Sequence, residues 1–453
     1  MDNKDLIIEA LQEQVKILTA RIADLERRLG LNSSNSSKPP SSDGLAKRPP
    51  QSLRTNGKKK SGGQLGHKGE TLKQISTPDH IERHCLETCP SCQSDLKFAP
   101  VHSIQRRQVF DIPEPQVEVT EHQAEVKICT CGQRCVGVFP VNITAPVQYG
   151  NRVKTLCVYL NHQQMIPEDR VVEVFEDVFA LNISSATVVG AGAQLAKVLE
   201  PWQQNIEAQL ASAPVKHLDE TGFRIEKKTQ WLHVMSNEEA TSYRVSAKRG
   251  EMFSGLIGTI VHDCFKSYDV LLGVLHALCN AHILRELKAL IQFEKETWAT
   301  LMSRLLCLAK KHPEKKELVL TLYDRILEKG IDYHESLEPL KKGKRGRQKK
   351  RVGHNLLLRL KERKDDVLRF LSDPHVPFTN NLAEQDLRMM KVKMKISGGF
   401  RTLQGAKTFC TIRSFTSTCR KQGINIFQAI AQANTGFLPK ISVGQQQILL
   451  NAA

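Results

Sequence analysis

The first thirty residues carry an apolar position every seven. Ile8, Val15, Ile22 and Leu29 form one series, and Leu11, Leu18 and Leu25 each follow it by three. An a/d seam of this kind, β-branched at a and leucine at d, favours a parallel two-stranded coiled coil. The competing reading is an amphipathic helix lying on its own domain. The strict 3.5 period and the linker-like stretch that follows favour association, so residues 1–30 are expected to dimerise. Much further along, the period drops to about two. Pro214 to Ile225 reads as a buried strand presenting Asp219, and β-favouring runs follow at Gln230 to Met235 and Ala240 to Val245, as expected of antiparallel hairpins. A short helix is predicted over Glu251 to Ile257, a further strand ahead of Asp263 and another over Val274 to Ala281.

Two other regions carry a helical period. In Gln148 to Leu210, Val171, Val174 and Val178 make an apolar face, and Asn182 to Ser185 forms a turn and N-cap for a second helix, Ala186 to Leu199. The order suggests a helix-turn-helix, but the second helix has Lys197 as its one charge, the composition of a core helix more than a base-reading one. Leu284 to Asp373 is almost wholly helical in pattern, interrupted by Lys341 to Arg351, which holds eight basic residues and no acid. After it, Thr379 and Asn380 are caps for a helix whose buried stripe is Ala383, Leu387, Met390 and Met394, flanked by Glu384, Arg388, Lys391 and Lys395.

At 453 residues and 40% hydrophobic the chain can fill about three domains. No apolar run approaches the ~18 residues of a membrane span, and the N-terminus opens on charged residues, so a cytoplasmic protein without a membrane partner is expected. Sixty-five Lys and Arg against 48 Asp and Glu give +17, which favours a polyanionic partner. Leu31 to about Lys73 is rich in Pro, Gly and Ser and reads as a linker. Between Lys38 and Lys73 it holds nine basic residues, Lys58, Lys59, Lys60 and Lys68 among them, against two acids. Such one-sided charge on a glycine-rich backbone suits close approach to phosphates.

Cys89-Pro-Ser-Cys92 is a C-x-x-C knuckle, and Cys129, Cys131 and Cys135 supply thiols about 36 residues later, with His84 and Cys85 as spares. In a reducing compartment such pairs are thiolate ligands of one tetrahedral, structural Zn²⁺ more readily than disulfides. Which two of the later three bind is left open, with Cys129 and Cys131 preferred and Cys135 the alternate. Cys279-Asn-Ala-His282 is half a metal site by spacing. With no second half near it in sequence, packing beside the site is the reading adopted.

Asp219, Asp263 and Glu384 are the acids that apolar elements deliver. Asp269 rivals Asp263 but lies beyond the strand signal, as a turn residue would. With Asn32-Ser-Ser-Asn-Ser-Ser-Lys-Pro-Pro, Gly63-Gln-Leu-Gly-His-Lys-Gly, the cysteine region, His217-Leu-Asp-Glu-Thr, Cys279-Asn-Ala-His, Thr379-Asn-Asn-Leu-Ala-Glu and Ser397-Gly-Gly-Phe-Arg in this order, the chain resembles the DDE transposases of bacterial insertion-sequence family sixty-six. The resemblance implies an α/β fold with a ribonuclease-H-like catalytic core over 211–400 and a helical insertion at about 290–375. Ahead of the core come a coiled coil (1–30), a basic linker (31–80), a zinc module (81–140) and a helix-turn-helix-like region (145–210); a helical region (401–453) follows. Asp219, Asp263 and Glu384 then stand at the positions of the acidic triad. They would hold two Mg²⁺ (or Mn²⁺), with Arg388, Lys391, Lys395 and Arg401 neutralising the strand being cut. The partners implied are double-stranded DNA, a second copy of the chain and companion proteins of the same element. Two other functions compete: a non-enzymatic DNA-binding regulator, which needs no converging acids, and a ribonuclease-H-like nuclease without joining activity, which needs no zipper.

Overall fold

The computed structural model describes residues 3–36, 72–226, 228–251, 253–340, 348–441 and 443. Lys58, Lys59, Lys60, Lys68 and the run from Lys341 to Arg347 lie outside them. The chain divides into two compact units, Arg48–Glu118 and the remainder.

In the larger unit the alternating segments form one mixed sheet. Its strands are β3 (Val215–Ile225), β4 (Lys228–Ser236), β5 (Thr241–Ser246), β6 (Thr259–His262) and β7 (Leu275–Leu278), in the order β5-β4-β3-β6-β7. The first three make the expected antiparallel meander, while β6 and β7 run parallel to β3. Gly258 makes the close approach that starts β6. Its φ is +77°, a Cβ there would fall 2.6 Å from the Pro214 carbonyl oxygen, and that oxygen accepts the Thr259 N–H at 2.8 Å. The predicted helix over Glu251 to Ile257 is absent among its described residues. Gly255 has a φ of +69°, and Phe253, 2% exposed, enters the core as part of a loop.

Helices cover both faces because successive strand side chains alternate sides. On one face, Leu218, Met235 and Ile260 pack with α4 (Ser185–Ser212) and α11 (Leu403–Lys421), joined by α2 (Asn151–Val158), α3 (Glu168–Phe179) and α12 (Ile426–Ala433). On the other, Leu232 and Val234 pack against α10 (Asn381–Ser397). The cap before α4 is the expected one, Ser184 accepting the Thr187 N–H at 3.2 Å. The helix itself is longer than predicted and buried along its length from Val188 to Ala211, so it is a core helix. In α3 the buried pair is Val171 and Phe175; Val178, in the last turn of the helix, is 47% exposed.

The predicted helical segment becomes α5 (Asn280–Ala289), α6 (Thr297–Lys311), α7 (Lys316–Ser336), α8 (Val352–Glu362) and α9 (Lys364–Leu368). They share a core of their own around Trp298, Tyr323 and Leu357. α1 (Asn3–Gly30) is a single helix whose seam is open: Ile8, Leu11, Val15, Leu18, Ile22, Leu25 and Leu29 are between 49% and 85% exposed. Its last turn meets the larger unit's body, where Gly30 lies against the Phe293 ring and Arg27 is 3.9 Å from Glu294. The next residues are not free linker. Asn35, 2% exposed, donates to Gln292 at 3.0 Å and to the Gly30 carbonyl at 3.1 Å. No helix among the described residues is long and apolar enough to cross a membrane.

In the smaller unit the linker reading ends early too. Gln74 donates to the Arg106 carbonyl, and Ile75 exchanges two hydrogen bonds with the Gln108 amide.

Candidate active site

The register of β6 on β3 pairs Val215 with Thr259, Lys216 with Ile260 and His217 with Val261, an offset of 44 residues. Asp219 and Asp263 are separated by the same 44 positions, so the register, continued by two residues, sets Asp263, just past the end of β6, level with Asp219 within β3. Residues level on adjacent strands point to the same face. Here it is the α10 face, since Asp219 is also opposite Val234.

Glu384 reaches this place in the first turn of α10. Ala383, Leu387 and Met390 give α10 its buried stripe, burial of Leu387 and Met390 stabilising the docking by about 1.5–3 kcal/mol each. Gly398, at φ +69°, ends the helix in a left-handed cap. Met394 is only partly buried, and the fourth buried position goes to Lys393, 4.0 Å from Glu168. Asn380 does not use its side chain as a helix cap. It is 1% exposed, donates Nδ2 to the Leu218 carbonyl at 2.8 Å, and is hydrogen bonded through Oδ1 to His217 Nδ1 at 2.8 Å. Its backbone N–H points at Cys279 Sγ, 3.1 Å away. One residue thereby ties β3 to the start of both α10 and α5.

The electrostatics reflect the convergence. The Asp219 carboxyl is held well above the usual carboxylate range, first by burial and then by the charges of Glu220, Asp263 and Glu384. Burial also raises Asp263, opposed by the Phe265 N–H at 3.0 Å and the Arg249 guanidinium. Arg249 lies over the Phe265 ring, 3.2 Å from its centroid, and pairs with Glu220 at 2.6 Å; Glu220 also accepts from the Tyr268 hydroxyl. Glu220 therefore faces away from its neighbour Asp219 and fixes Arg249 beside Asp263. A cavity of about 560 Å³ opens here, bordered by Arg249, Asp263, Phe265, His282 and, from the N-terminal turn, Leu31 and Asn35.

Cys279 and His282 are not remote from a third ligand. Cys279 precedes α5 and His282 lies in its first turn. Donor atoms of Cys279, His282 and Glu384 lie within 4.8 Å of one another, so the fold brings Glu384, 102 residues on, beside the C-x-x-H pair. Burial pushes the Cys279 thiol up to about 11 and the His282 imidazole down.

Arg388, Lys391, Lys395 and Arg401 are exposed. Asp269 stays outside the cluster, paired with Arg363 at 2.6 Å, and Asp386 is held by Lys421 at 2.9 Å and Thr241 at 3.0 Å. Sequence reasoning missed Arg249, Glu220 and Lys216, the last fully buried with its ammonium on the Ile257 carbonyl. Nothing in a period-two pattern distinguishes such a lysine from an exposed one.

The cysteine pairs sit in two short knuckles, one in each unit. In the smaller, Cys89 donates its N–H to Ser94 and accepts that of Gln93, and hydrogen bonds from Ser94 and Cys89 bring the Cys92 thiol down to about 7. In the larger, Cys129 and Cys131 lie at the turn between β1 (Val126–Ile128) and β2 (Arg134–Val136), with the Cys129 thiol lowered chiefly by hydrogen bonds from Cys131. Cys135 lies within β2, paired with Lys127.

A family model described as Transposase IS66 family matches residues 146–408, more than half of the chain, and the chain belongs to that family. A second, the zinc-finger binding domain of transposase IS66, matches residues 87–132, and a third, over residues 2–73, describes a family of unknown function. An uncharacterized protein, y4jO of Sinorhizobium fredii, is 39% identical over 72 residues, which are 16% of this chain and 22% of that one.

Proposed function

We propose that the protein is a DDE-type DNA transposase that binds the ends of an insertion sequence, cuts them and joins them to a target. One observation carries the reading: the register of β6 on β3 brings Asp263 level with Asp219, on the face where α10 carries Glu384 in its first turn. Strand order supports a ribonuclease-H-like core, because an antiparallel meander is extended from its first strand by two parallel strands, with helical insertion between the second and third acids.

The donor set fits hard divalent cations. Three carboxylates repel one another, and Glu384 Oε1 is buried with no hydrogen-bond partner. Asp219, Asp263 and Glu384 would together hold two Mg²⁺ or Mn²⁺. Bound there, such ions supply activation of a water or 3′-hydroxyl and stabilisation of the leaving oxygen. The chain's own work is positioning. Asn380 sets the height of Glu384 against β3, Arg249 stands beside Asp263, and Arg388, Lys391, Lys395 and Arg401 offer exposed cations for a phosphate backbone. The zinc-finger match takes in Cys89, Cys92, Cys129 and Cys131 and stops short of Cys135, which supports zinc binding by thiols of this region. The open seam of α1 supports a homodimer.

The test uses the full chain and duplexes from the DNA flanking its reading frame. Asp219→Asn, Asp263→Asn and Glu384→Gln are each expected to abolish Mg²⁺-dependent cleavage and joining while end binding persists, and Asp269→Asn to retain all three. Joining at the wild-type rate by Glu384→Gln would refute the assignment. Cleavage by the wild type with no joining would favour the nuclease, and end binding with neither activity the regulator.

A further inference from the structure

We propose that Cys279, His282 and Glu384 form a second zinc-class site, a mixed sulfur, nitrogen and oxygen set opening on the cavity beside Asp263. The proposal shares Glu384 with the three-carboxylate reading but needs no strand cleavage.

The distances suggest an ion more than a hydrogen bond. His282 Nδ1 and Glu384 Oε1 are 3.9 Å apart, too far for a hydrogen bond. Two donors bound at about 2.0–2.2 Å to one zinc are separated by about 3.4 Å at the tetrahedral angle and by about 4.2 Å at most. Both atoms are buried, and neither has a hydrogen-bond partner. An imidazole nitrogen and a carboxylate oxygen buried this close with no hydrogen-bond partner are two unsatisfied polar atoms, and a cation between them would satisfy both. Cys279 Sγ completes the set, all three donors lying within 4.8 Å of one another. The Asn380 N–H at 3.1 Å from that sulfur is the outer hydrogen bond that steadies a ligating thiolate.

The donor chemistry selects the metal. A thiolate and an imidazole beside a carboxylate suit Zn²⁺ or Co²⁺ and are poor ligands for Mg²⁺. Three protein ligands leave one position for water or substrate, as in catalytic rather than structural zinc sites. His282 borders the cavity that Asp263 also borders, so that position faces the space beside the acids.

Zinc per chain is measured on the full-length protein after dialysis against a weak chelator. Two zinc ions are expected in the wild type and one in His282→Asn. The Cys89→Ser/Cys92→Ser chain is expected to keep one and to lose it when His282→Asn is added. A single zinc lost with Cys89 and Cys92 and indifferent to His282 would overturn the proposal. Cobalt gives an independent reading: in the Cys89→Ser/Cys92→Ser chain Co²⁺ should produce a thiolate-to-metal absorption band that Cys279→Ser weakens. A band unchanged by Cys279→Ser overturns the proposal even if His282→Asn does not fold. Asp219→Asn separates this idea from the carboxylate reading, since it should lose cleavage and keep both zinc ions.

Discussion

Asn380 shows how much of the site hangs on one neutral side chain. Its amide satisfies the Leu218 carbonyl and the His217 ring, and its backbone reaches Cys279, all at 1% exposure. Asn380→Ala leaves a buried carbonyl and a buried imidazole nitrogen unpaired, a cost of about 1–3 kcal/mol for each. Urea unfolding should show that loss, and the folded fraction should cleave poorly because Glu384 is no longer held against β3. Cleavage at the wild-type rate would mean that α10 is positioned by its apolar stripe alone. Asp219 gives a prediction of opposite sign. A carboxyl with a raised folded pKa holds its proton more tightly folded than unfolded, so its contribution is full below the unfolded value of about 3.8 and is lost as pH rises through the folded value. In Mg²⁺-free buffer the wild type should therefore lose stability as pH climbs above about 4. Asp219→Asn should melt higher near neutrality, by about 2–4 °C for each kcal/mol of repulsion removed. Added Mg²⁺ should narrow the gap, and thermal melts with and without the ion check both points.

At the scale of elements, the Gly258 turn sets where β6 begins and hence the height of Asp263. Gly258→Ala puts a methyl 2.6 Å from a carbonyl oxygen at a φ of +77°, so β6 must shift. Cleavage should fall at least as steeply as stability, and equal activity per folded molecule would detach the register from the chemistry. α1 makes a separate prediction. Its seam finds no cover among the described residues, so deleting residues 1–30 should lower the mass seen by sedimentation. The contrast between these elements explains what was legible in the sequence. The strands and α10 announce themselves locally, through a period of two or a stripe at i, i+4 and i+7. Asp219 and Asp263 could be paired because each is delivered by an apolar strand run, and the strand register then proves equal to their separation. The union of Cys279 and His282 with Glu384 was hidden, since it depends on how α5 and α10 start side by side after a whole helical insertion. The loop at Phe253 and the docked turn at Asn35 were hidden for a related reason: burial against distant elements overrides a composition that reads as helix or linker.

For the whole molecule, the charge of +17 is the property that acts at longest range, and its distribution gives two kinds of cation different tasks. Arg388, Lys391, Lys395 and Arg401 lie on or just beyond α10, the helix that carries Glu384, whereas Lys58, Lys59, Lys60 and Lys68 belong to the glycine-rich basic stretch. If the second group contacts phosphates, each contact releases a condensed counterion, and the slope of log K against log salt changes by about 0.9 for each one lost. Replacing these four lysines together by glutamine should make the slope shallower by up to ~3.6 and weaken binding to any duplex, end-specific or random, by a similar factor. The α10 set should behave otherwise. If Arg388 and Lys391 neutralise the strand being cut, as proposed, replacing them should change the slope by no more than ~2 while lowering cleavage of bound ends. Fluorescence anisotropy on one duplex across a salt series, paired with single-turnover cleavage at saturating protein, reads both quantities. An unchanged slope in the four-lysine variant would remove the basic stretch from the DNA interface and shift its charge to another polyanion or to solvent.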